Sequence, residues 1–363
     1  MARIMLITFS ILFTAIFILV SVLLAWSPGK PKPLLAENGK VIEGSISEKT
    51  YININGVEQG MFIKSKNPAN PVLLFIHGGP GMPEYFLTRS YPAGLEDYFT
   101  VCYWEQRGAG LSYSSDILPA TLNEEQLIFD TIEVTNYLRQ RFGRDKIYLM
   151  AHSWGSYIGI QAAARAPEMY QAYIGIAQVS RPLESEKLAY KYMLEQYTIA
   201  GDKRMVQRLE QFPITEMETV PNSYRSLRDE AMHKLGIGTM HNMKSVISGV
   251  FVPSWKCPEY TLREKVNIWR GKWSDCSTNL WNQMIAADLT AKVTKLDIPV
   301  YFFHGIYDYT CSYTLAKDYF EKLQAPLKGF YTFEQSAHSP LFEEPEKMQY
   351  ILQKDVLKGR AYY

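Results

Sequence analysis

A ten-residue stretch, KIYLMAHSWG at positions 146–155, constrains the fold of this chain more than any other. Its residues 147–150 form an apolar run, as a strand buried on both faces of a sheet must, and an Ala-rich helical run follows at 156–167. Ser153 lies between the two, with the small residues Ala151 and Gly155 on either side. Small residues are needed there because a tight turn brings the strand and helix backbones together. The stretch therefore predicts a nucleophile elbow: a strand, a turn that presents a serine, and a helix.

The rest of the chain alternates apolar, strand-like runs with periodic, helix-like runs. Such alternation is typical of an α/β protein with a mostly parallel sheet and right-handed crossovers. An Asn-Gly pair at 55–56 also predicts a hairpin over 51–64, since this dipeptide favours a two-residue turn. The predicted strands are 72–76, 99–104, 147–150, 172–176, 299–303 and 330–333, and the predicted helices are 124–142, 156–167, 313–323 and 344–357.

The alternation stops between about residues 181 and 290, where the patterns are helical and Tyr and Trp are concentrated. A helical insertion between two α/β parts predicts a cap that covers the carboxyl ends of the strands. The predicted organisation is an apolar N-terminal segment at 1–26, a Pro-containing linker at 27–47, a first part of the α/β core at 48–180, a helical cap at 181–290, and a second part of the core at 291–363.

Residues 4–26 are uncharged and strongly apolar. About 20 such residues in a helix are enough to cross a bilayer, so the segment predicts a single-pass membrane anchor. Because the tail before it is very short, we expect the remainder of the chain to lie outside the cytoplasm. A cleaved signal peptide, which would release a secreted protein, is the alternative, although its apolar region is usually only about 7–15 residues long.

Composition narrows the possible partners. The net charge of +1 gives no reason to expect a nucleic-acid partner. The sequence contains no C-x-x-C pair, no H-E-x-x-H motif and no cluster among its six histidines, so neither a metal nor another cofactor is expected. Cys257 and Cys276 could form a disulfide in an oxidising compartment, and the sequence leaves this question and the oligomeric state open.

Two residues downstream of Ser153 complete a pattern that carries chemistry. A serine hydroxyl is a weak nucleophile until a base takes its proton, and that base needs an acid to orient it. Asp308 follows the predicted strand 299–303, and His338 follows the last predicted strand. Because the carboxyl ends of parallel strands meet at one edge of a sheet, we expect the three side chains to lie together. The sequence therefore predicts a Ser153–His338–Asp308 triad.

Acyl transfer also requires hydrogen-bond donors for the oxyanion of its transition state. The backbone N–H of Trp154, at the start of the helix after the elbow, is one predicted donor. The second is the N–H of Gly79, in the turn His77-Gly78-Gly79-Pro80-Gly81 that directly follows the predicted strand 72–76.

The sequence contains five recognisable motifs: HGGPG at 77–81, EQRGAGLS at 105–112, AHSWG at 151–155, GIYD at 305–308 and SAH at 336–338. Together they resemble the motifs of the prolyl iminopeptidases, which are proline-specific aminopeptidases of the serine-peptidase class with an α/β-hydrolase fold. The resemblance implies that Ser153 is the nucleophile, that Asp308 and His338 are its acid and base, and that a small peptide loses its N-terminal residue. It also implies Gly79 and Trp154 as oxyanion donors, and it covers residues 48–180 and 291–350.

The sequence departs from this family in ways that bear on the substrate. Ala151 and His152 replace the two glycines that usually precede the serine, and Glu105 replaces an aspartate. The aromatic motifs in which the family's cap glutamates hold the substrate amine are absent. An ammonium buried without a carboxylate is costly, so another acid is expected in this role. The candidates are Glu184, Glu186, Glu195 and Glu259.

Two other functions compete with the aminopeptidase. A carboxylesterase or lipase-like hydrolase of small acyl esters would need no acid to bind an amine. A non-catalytic binding protein on the same scaffold would usually lack a member of the triad, whereas all three are present. Ser153 argues against epoxide hydrolases and haloalkane dehalogenases, which use an aspartate at the elbow.

Overall fold

The computed structural model describes residues 2–362, so Met1 and Tyr363 of the predicted terminal segments lie outside it. An eight-stranded sheet organises the molecule, with strand order β1-β2-β4-β3-β5-β6-β7-β8. The six strands from β3 onward pair in parallel, whereas β1 and β2 are antiparallel. The strands are β1 Ile46–Ile54, β2 Val57–Ser65, β3 Val72–Ile76, β4 Thr100–Trp104, β5 Ile147–His152, β6 Tyr170–Ile176, β7 Val300–Gly305 and β8 Lys328–Phe333.

Strand β3 shows how the sheet is covered on both faces. All five of its residues are buried. Leu74 packs in one apolar core with α2 (Glu124–Phe142) and α3 (Trp154–Arg165), and Leu73 packs in a second core on the opposite face. A sheet with two covered faces needs continuous apolar strands, which explains the run at 72–76. The predicted α/β fold is therefore confirmed.

The cap is a helical insertion between β6 and β7. Its longer helices are α4 Pro182–Ile199, α5 Lys203–Glu210, α6 Arg225–Leu235, α7 Leu262–Lys272 and α8 Asp275–Ile285. The chain then returns to the sheet through β7, α9 (Tyr313–Lys322), β8 and α10 (Pro345–Lys354). Short helices at Leu87–Ser90, Val252–Lys256, Leu289–Lys292 and Pro340–Glu343 complete the connections.

The N-terminal helix α1 (Ala2–Ala25) stands apart from the cores. Its segment Ile4–Ala25 has a mean hydropathy of 2.7, and none of it is buried within the molecule. By length and composition it can cross a membrane, but a signal sequence has the same properties.

The segment 27–47 differs from the free spacer that its prolines suggest. The Gly29 amide donates to the Pro258 carbonyl at 3.0 Å, and the Lys32 amide donates to Glu259 Oε1 at 2.6 Å. The Lys265 ammonium of α7 donates to the Trp26 carbonyl at 2.7 Å. The linker is thus hydrogen-bonded along the cap, and its last two residues already belong to β1.

All four cysteines are free thiols. Cys257 and Cys276, whose pairing the sequence leaves open, are therefore not joined in this structure.

Candidate active site

The elbow at Ser153 joins β5 to α3. Ser153 has φ 54° and ψ −123°, and residues other than glycine rarely adopt a positive φ. Gly155 is required because a Cβ there would lie 2.3 Å from the Ile76 carbonyl oxygen. The methyl of Ala151 fits because the facing helix residue is Gly159, where an added Cβ would lie 2.8 Å from it. Gly159 of α3 thus leaves room for the methyl group of Ala151, which replaces the usual glycine.

Three side chains from separate loops form one chain of hydrogen bonds. Ser153 Oγ lies 2.7 Å from His338 Nε2, and His338 Nδ1 lies 2.9 Å from Asp308 Oδ2. Asp308 follows β7 and His338 follows β8, so the parallel sheet brings them to the edge where β5 ends. This geometry allows His338 to take the serine proton while Asp308 orients the imidazole.

The surroundings of Asp308 and His338 favour a carboxylate beside a neutral imidazole. Asp308 Oδ1 accepts from the Thr310 and Cys311 amides, each at 2.9 Å. Burial alone would raise the pKa of Asp308, but His338 and His304 hold it well below its usual range. Burial lowers the pKa of His338, and this effect outweighs the attraction of Asp308. A buried neutral histidine is able to act as a base.

A second buried pair, which the sequence did not reveal, supports the backbone of His338. His152 Nδ1 lies 2.8 Å from Glu84 Oε1, and His152 Nε2 lies 2.8 Å from the His338 carbonyl oxygen. Burial opposes both charges, yet each partner shifts the other: the pKa of His152 is raised and that of Glu84 is lowered. The residue that replaces a family glycine therefore anchors the loop that carries the candidate base.

The glycine turn after β3 lies directly against the elbow. A Cβ on Gly78 would be 3.3 Å from Ser153 Cβ and 2.9 Å from Glu84 Oε1. The Gly78 amide already donates to Glu84 Oε2 at 3.1 Å, whereas Gly79, with φ 122°, lines the cavity at Ser153. The Trp154 amide is at the first helical position of α3, where no intrahelical acceptor exists.

Gln106 connects the EQRG motif, to which it belongs, with the HGGPG turn and the elbow. Its amide donates to His77 Nε2 at 3.0 Å, and its side-chain amide donates to the His77 carbonyl at 2.8 Å. Its side-chain oxygen accepts from the Trp154 indole at 2.9 Å. These hydrogen bonds hold the EQRG and HGGPG segments against each other beside the elbow.

A cavity of about 230 Å³ opens over Ser153, between the sheet edge and the cap. This is smaller than the roughly 300–1,000 Å³ of pockets for drug-sized ligands, so it favours a small substrate or a small reacting end. Its charged lining residues are Glu84, Glu186, Arg225, Arg228, Asp229 and Lys272.

The expected amine-binding glutamates are not free in the cavity. Glu186 lines it, but Arg228 engages both of its oxygens, with Nε 2.7 Å from Oε2 and Nη2 2.6 Å from Oε1. Glu184 is exposed and pairs with Lys187, and Glu195 is also exposed. Both project from α4 away from the cavity lining, because the buried face of this helix passes through other positions.

Glu259 is buried elsewhere, in the linker contact. It pairs with the Lys64 ammonium at 2.8 Å and accepts from the Tyr85 hydroxyl and the Lys32 amide. Its role in the described structure is therefore to satisfy a buried lysine rather than to face a substrate.

A mostly parallel sheet, a serine on a strained strand-to-helix turn and a helical cap above it define the α/β-hydrolase class. The family profile described as "alpha/beta hydrolase fold" matches residues 71–345, and the chain belongs to this family.

Several of its relatives are named as aminopeptidases or proline iminopeptidases. The probable aminopeptidase YbaC of Bacillus subtilis (strain 168) is 32% identical over 307 residues, which cover 83% of this chain and 93% of that protein. A proline iminopeptidase of Clostridium botulinum is 28% identical over 323 residues, covering 87% and 98%. The crystal structure of a proline iminopeptidase-related protein from Thermus thermophilus shares the fold, with a TM-score of 0.58, 20% identity, and coverage of 85% and 96%. The resemblance seen in the motifs is confirmed.

Proposed function

We propose that this protein is a serine hydrolase that works through an acyl-enzyme on Ser153. The observation that carries the proposal is the continuous hydrogen-bonded chain from Ser153 Oγ through His338 to Asp308, with links of 2.7 and 2.9 Å. His338 takes the serine proton as the oxygen attacks the substrate carbonyl, and Asp308 stabilises the imidazolium that forms.

The remaining steps use the same groups. The Gly79 and Trp154 amides donate to the oxyanion, each such donor typically contributing about 3–4 kcal/mol to transition-state stabilisation. His338 then returns the proton to the leaving group, whose bond to the carbonyl carbon breaks. A water molecule, deprotonated by His338, attacks the acyl-enzyme and releases the acid, which restores the Ser153 hydroxyl.

The substrate that we propose is a small peptide from which the N-terminal residue, proline foremost, is released. The names of the relatives and the small cavity support this choice. The α-ammonium of such a substrate needs a carboxylate. Glu84, which lies with Ser153 against Gly78, is our candidate, because a carboxylate that accepts two hydrogen bonds keeps lone pairs for a third.

An esterase acting on small acyl esters is the alternative. It is supported by the pairing of Glu186 with Arg228, which removes one cap carboxylate from amine binding. A non-catalytic binding role is less favoured, because the serine, imidazole and carboxylate lie within hydrogen-bonding distance.

One set of measurements tests the reaction and the substrate class together. We expect a fluorophosphonate probe to label the wild-type chain and not Ser153→Ala, and we expect Ser153→Ala to remain folded with nearly all turnover lost. A prolyl arylamide should be hydrolysed faster than its N-acetylated form, and Glu84→Gln should raise the KM for the arylamide about tenfold or more.

The outcomes separate the candidates. Wild-type protein that stays unlabelled would exclude the serine hydrolase. Labelling combined with hydrolysis of short acyl esters, and none of the arylamide, would establish the esterase instead.

We further propose that α1 anchors the protein in a membrane with its catalytic part outside the cytoplasm. The support is the apolar, unburied segment Ile4–Ala25. The alternative is cleavage within this region and secretion of the remainder.

A further inference from the structure

The cap wall of the cavity carries three cations from two helices. Arg225 and Arg228 lie three residues apart on α6, and Lys272 is the last residue of α7. Side chains three residues apart share one face of a helix, and all three of these residues line the cavity. The cavity above Ser153 is therefore bordered by positive charge on the cap side.

Of these three cations, only Arg228 forms ion pairs with the carboxylates of the same wall. Glu186 is held by Arg228 through both oxygens, and Asp229 Oδ1 lies 3.1 Å from Arg228 Nη1. Arg228 thus has two acidic partners, while the wall has three cations and two carboxylates. One positive charge remains in excess.

Arg225 and Lys272 form no ion pair with any residue in the described range 2–362. The Arg225 guanidinium lies 4.6 Å from the centre of the Trp281 ring, a contact that leaves its N–H donors unused. Burial lowers the pKa of both Arg225 and Lys272, and the neighbouring arginines add to this effect while Asp229 opposes it. A bound anion would relieve the crowding of these like charges.

We propose that Arg225 and Lys272 form a subsite for a substrate carboxylate, so that the preferred substrates are very short peptides with a free C-terminus, dipeptides foremost. This inference rests on the proposed peptidase function and names its substrate class. A guanidinium and an ammonium on one wall match a carboxylate, since the first offers paired donors and the second a point charge.

The charge distribution of the cavity fits a zwitterion in one orientation. Glu84 lies at the floor beside Ser153, and the two unpaired cations lie on the cap. A dipeptide with its ammonium toward Glu84 therefore directs its carboxylate toward Arg225 and Lys272. The small volume of about 230 Å³ limits how far a longer chain could extend in this direction.

Equilibrium binding to the Ser153→Ala protein tests the subsite without any need for turnover. We would measure, by calorimetry, the Kd of the dipeptide Pro-Leu and of its C-terminal amide, which has the same amine and side chains. We expect the free acid to bind at least tenfold more tightly. In Ser153→Ala combined with Lys272→Gln or Arg225→Gln, we expect this ratio to fall to about twofold.

Arg270→Gln is the matched control, because Arg270 is an exposed cation on the same helix and does not line the cavity. It should leave the ratio of acid to amide affinity unchanged. Equal binding of acid and amide by Ser153→Ala, or an equal loss of preference in Arg270→Gln, would overturn the proposal.

Thermal unfolding distinguishes a binding role from a structural one. Because Lys272 has no acidic partner among the described residues, Lys272→Gln should unfold at the wild-type temperature or above it. A marked fall in Tm would mean that Lys272 supports the fold, and would count against the subsite. Failure of the prolyl arylamide test would refute the peptidase function. The ratio of acid to amide affinity would still show whether the carboxylate subsite exists.

Discussion

His338 and Asp308 are both buried, and burial acts oppositely on their two pKa values. It disfavours the charged form of each, so it lowers the pKa of the imidazole and would raise that of the carboxyl. The carboxyl stays ionised because His338 and His304 face it. The result is an imidazole that is neutral at physiological pH and a fixed negative charge behind it.

The pH dependence of turnover follows from these two shifts. The role that we propose for His338, a base, requires a neutral imidazole, and its pKa in the folded protein lies below the usual value of about 6.5. We therefore expect kcat/KM to be constant near pH 7, and to fall with decreasing pH along a limb centred below about 6.5. The measurement is a profile of kcat/KM against pH.

Asp308→Asn serves as the comparison. The negative charge of Asp308 raises the pKa of His338, so its removal should move the acid limb to still lower pH while turnover drops by orders of magnitude. A limb centred above pH 7 in the wild-type protein would contradict the assignment of His338 as the base.

Individual residues also show what sequence reasoning can reach. The meeting of Ser153, Asp308 and His338 at one edge of the sheet was predictable because each follows a strand whose end the sequence marks. Glu84 and Arg228 were not, because their roles depend on partners 68 and 42 residues away in the chain. Such pairs arise from the packing of the cap and loops, which leaves no periodic signal in the sequence.

At the scale of elements, local signals define some boundaries well. The predicted helix 124–142 is α2 residue for residue, because the Asn123 side chain caps its first turn and Gly143, at φ 59°, ends it. Strand β1 begins earlier than predicted, at Ile46, because its polar first residues pair with β2 rather than follow an apolar pattern. The linker's contacts with the cap could not be predicted, since they use backbone groups that every residue carries.

Those linker contacts lead to a prediction about shortened chains. A chain beginning at Val41 loses the Gly29 and Lys32 amides that bond Pro258 and Glu259, whereas one beginning at Trp26 retains both. Losing partners of buried polar groups costs about 1–3 kcal/mol each. Because two such partners are lost, we expect the chain from Val41 to have a free energy of unfolding about 2–6 kcal/mol lower than the chain from Trp26, measured by urea denaturation.

A chain that begins at Lys30 provides the control. It loses the Gly29 hydrogen bond but keeps that of Lys32, so its free energy of unfolding should be intermediate. Equal stability of the chains starting at Trp26 and Val41 would show that the linker contributes nothing.

At the scale of the whole molecule, α1 is either a membrane anchor that the protein retains or a signal peptide that is cleaved. A retained anchor predicts that the full-length chain sediments with membranes, resists carbonate extraction and keeps its N-terminus in the intact mass. A chain found soluble outside the cell and shortened within residues 1–30 would establish cleavage. If the anchor is retained, protease added to intact cells should cleave the part of the chain that follows α1.

Hydrogen bonds join the Trp26 carbonyl and the Gly29 and Lys32 amides to the cap, and they restrict how the globular part can rotate if α1 resides in a bilayer. A globule on a slack tether tumbles in all directions, whereas one bonded to the end of its helix turns with that helix about the membrane normal. The globular part of the chain would then show the slow, uniaxial rotational diffusion of a membrane protein, and the opening of its cavity would keep one constant tilt toward the lipid surface.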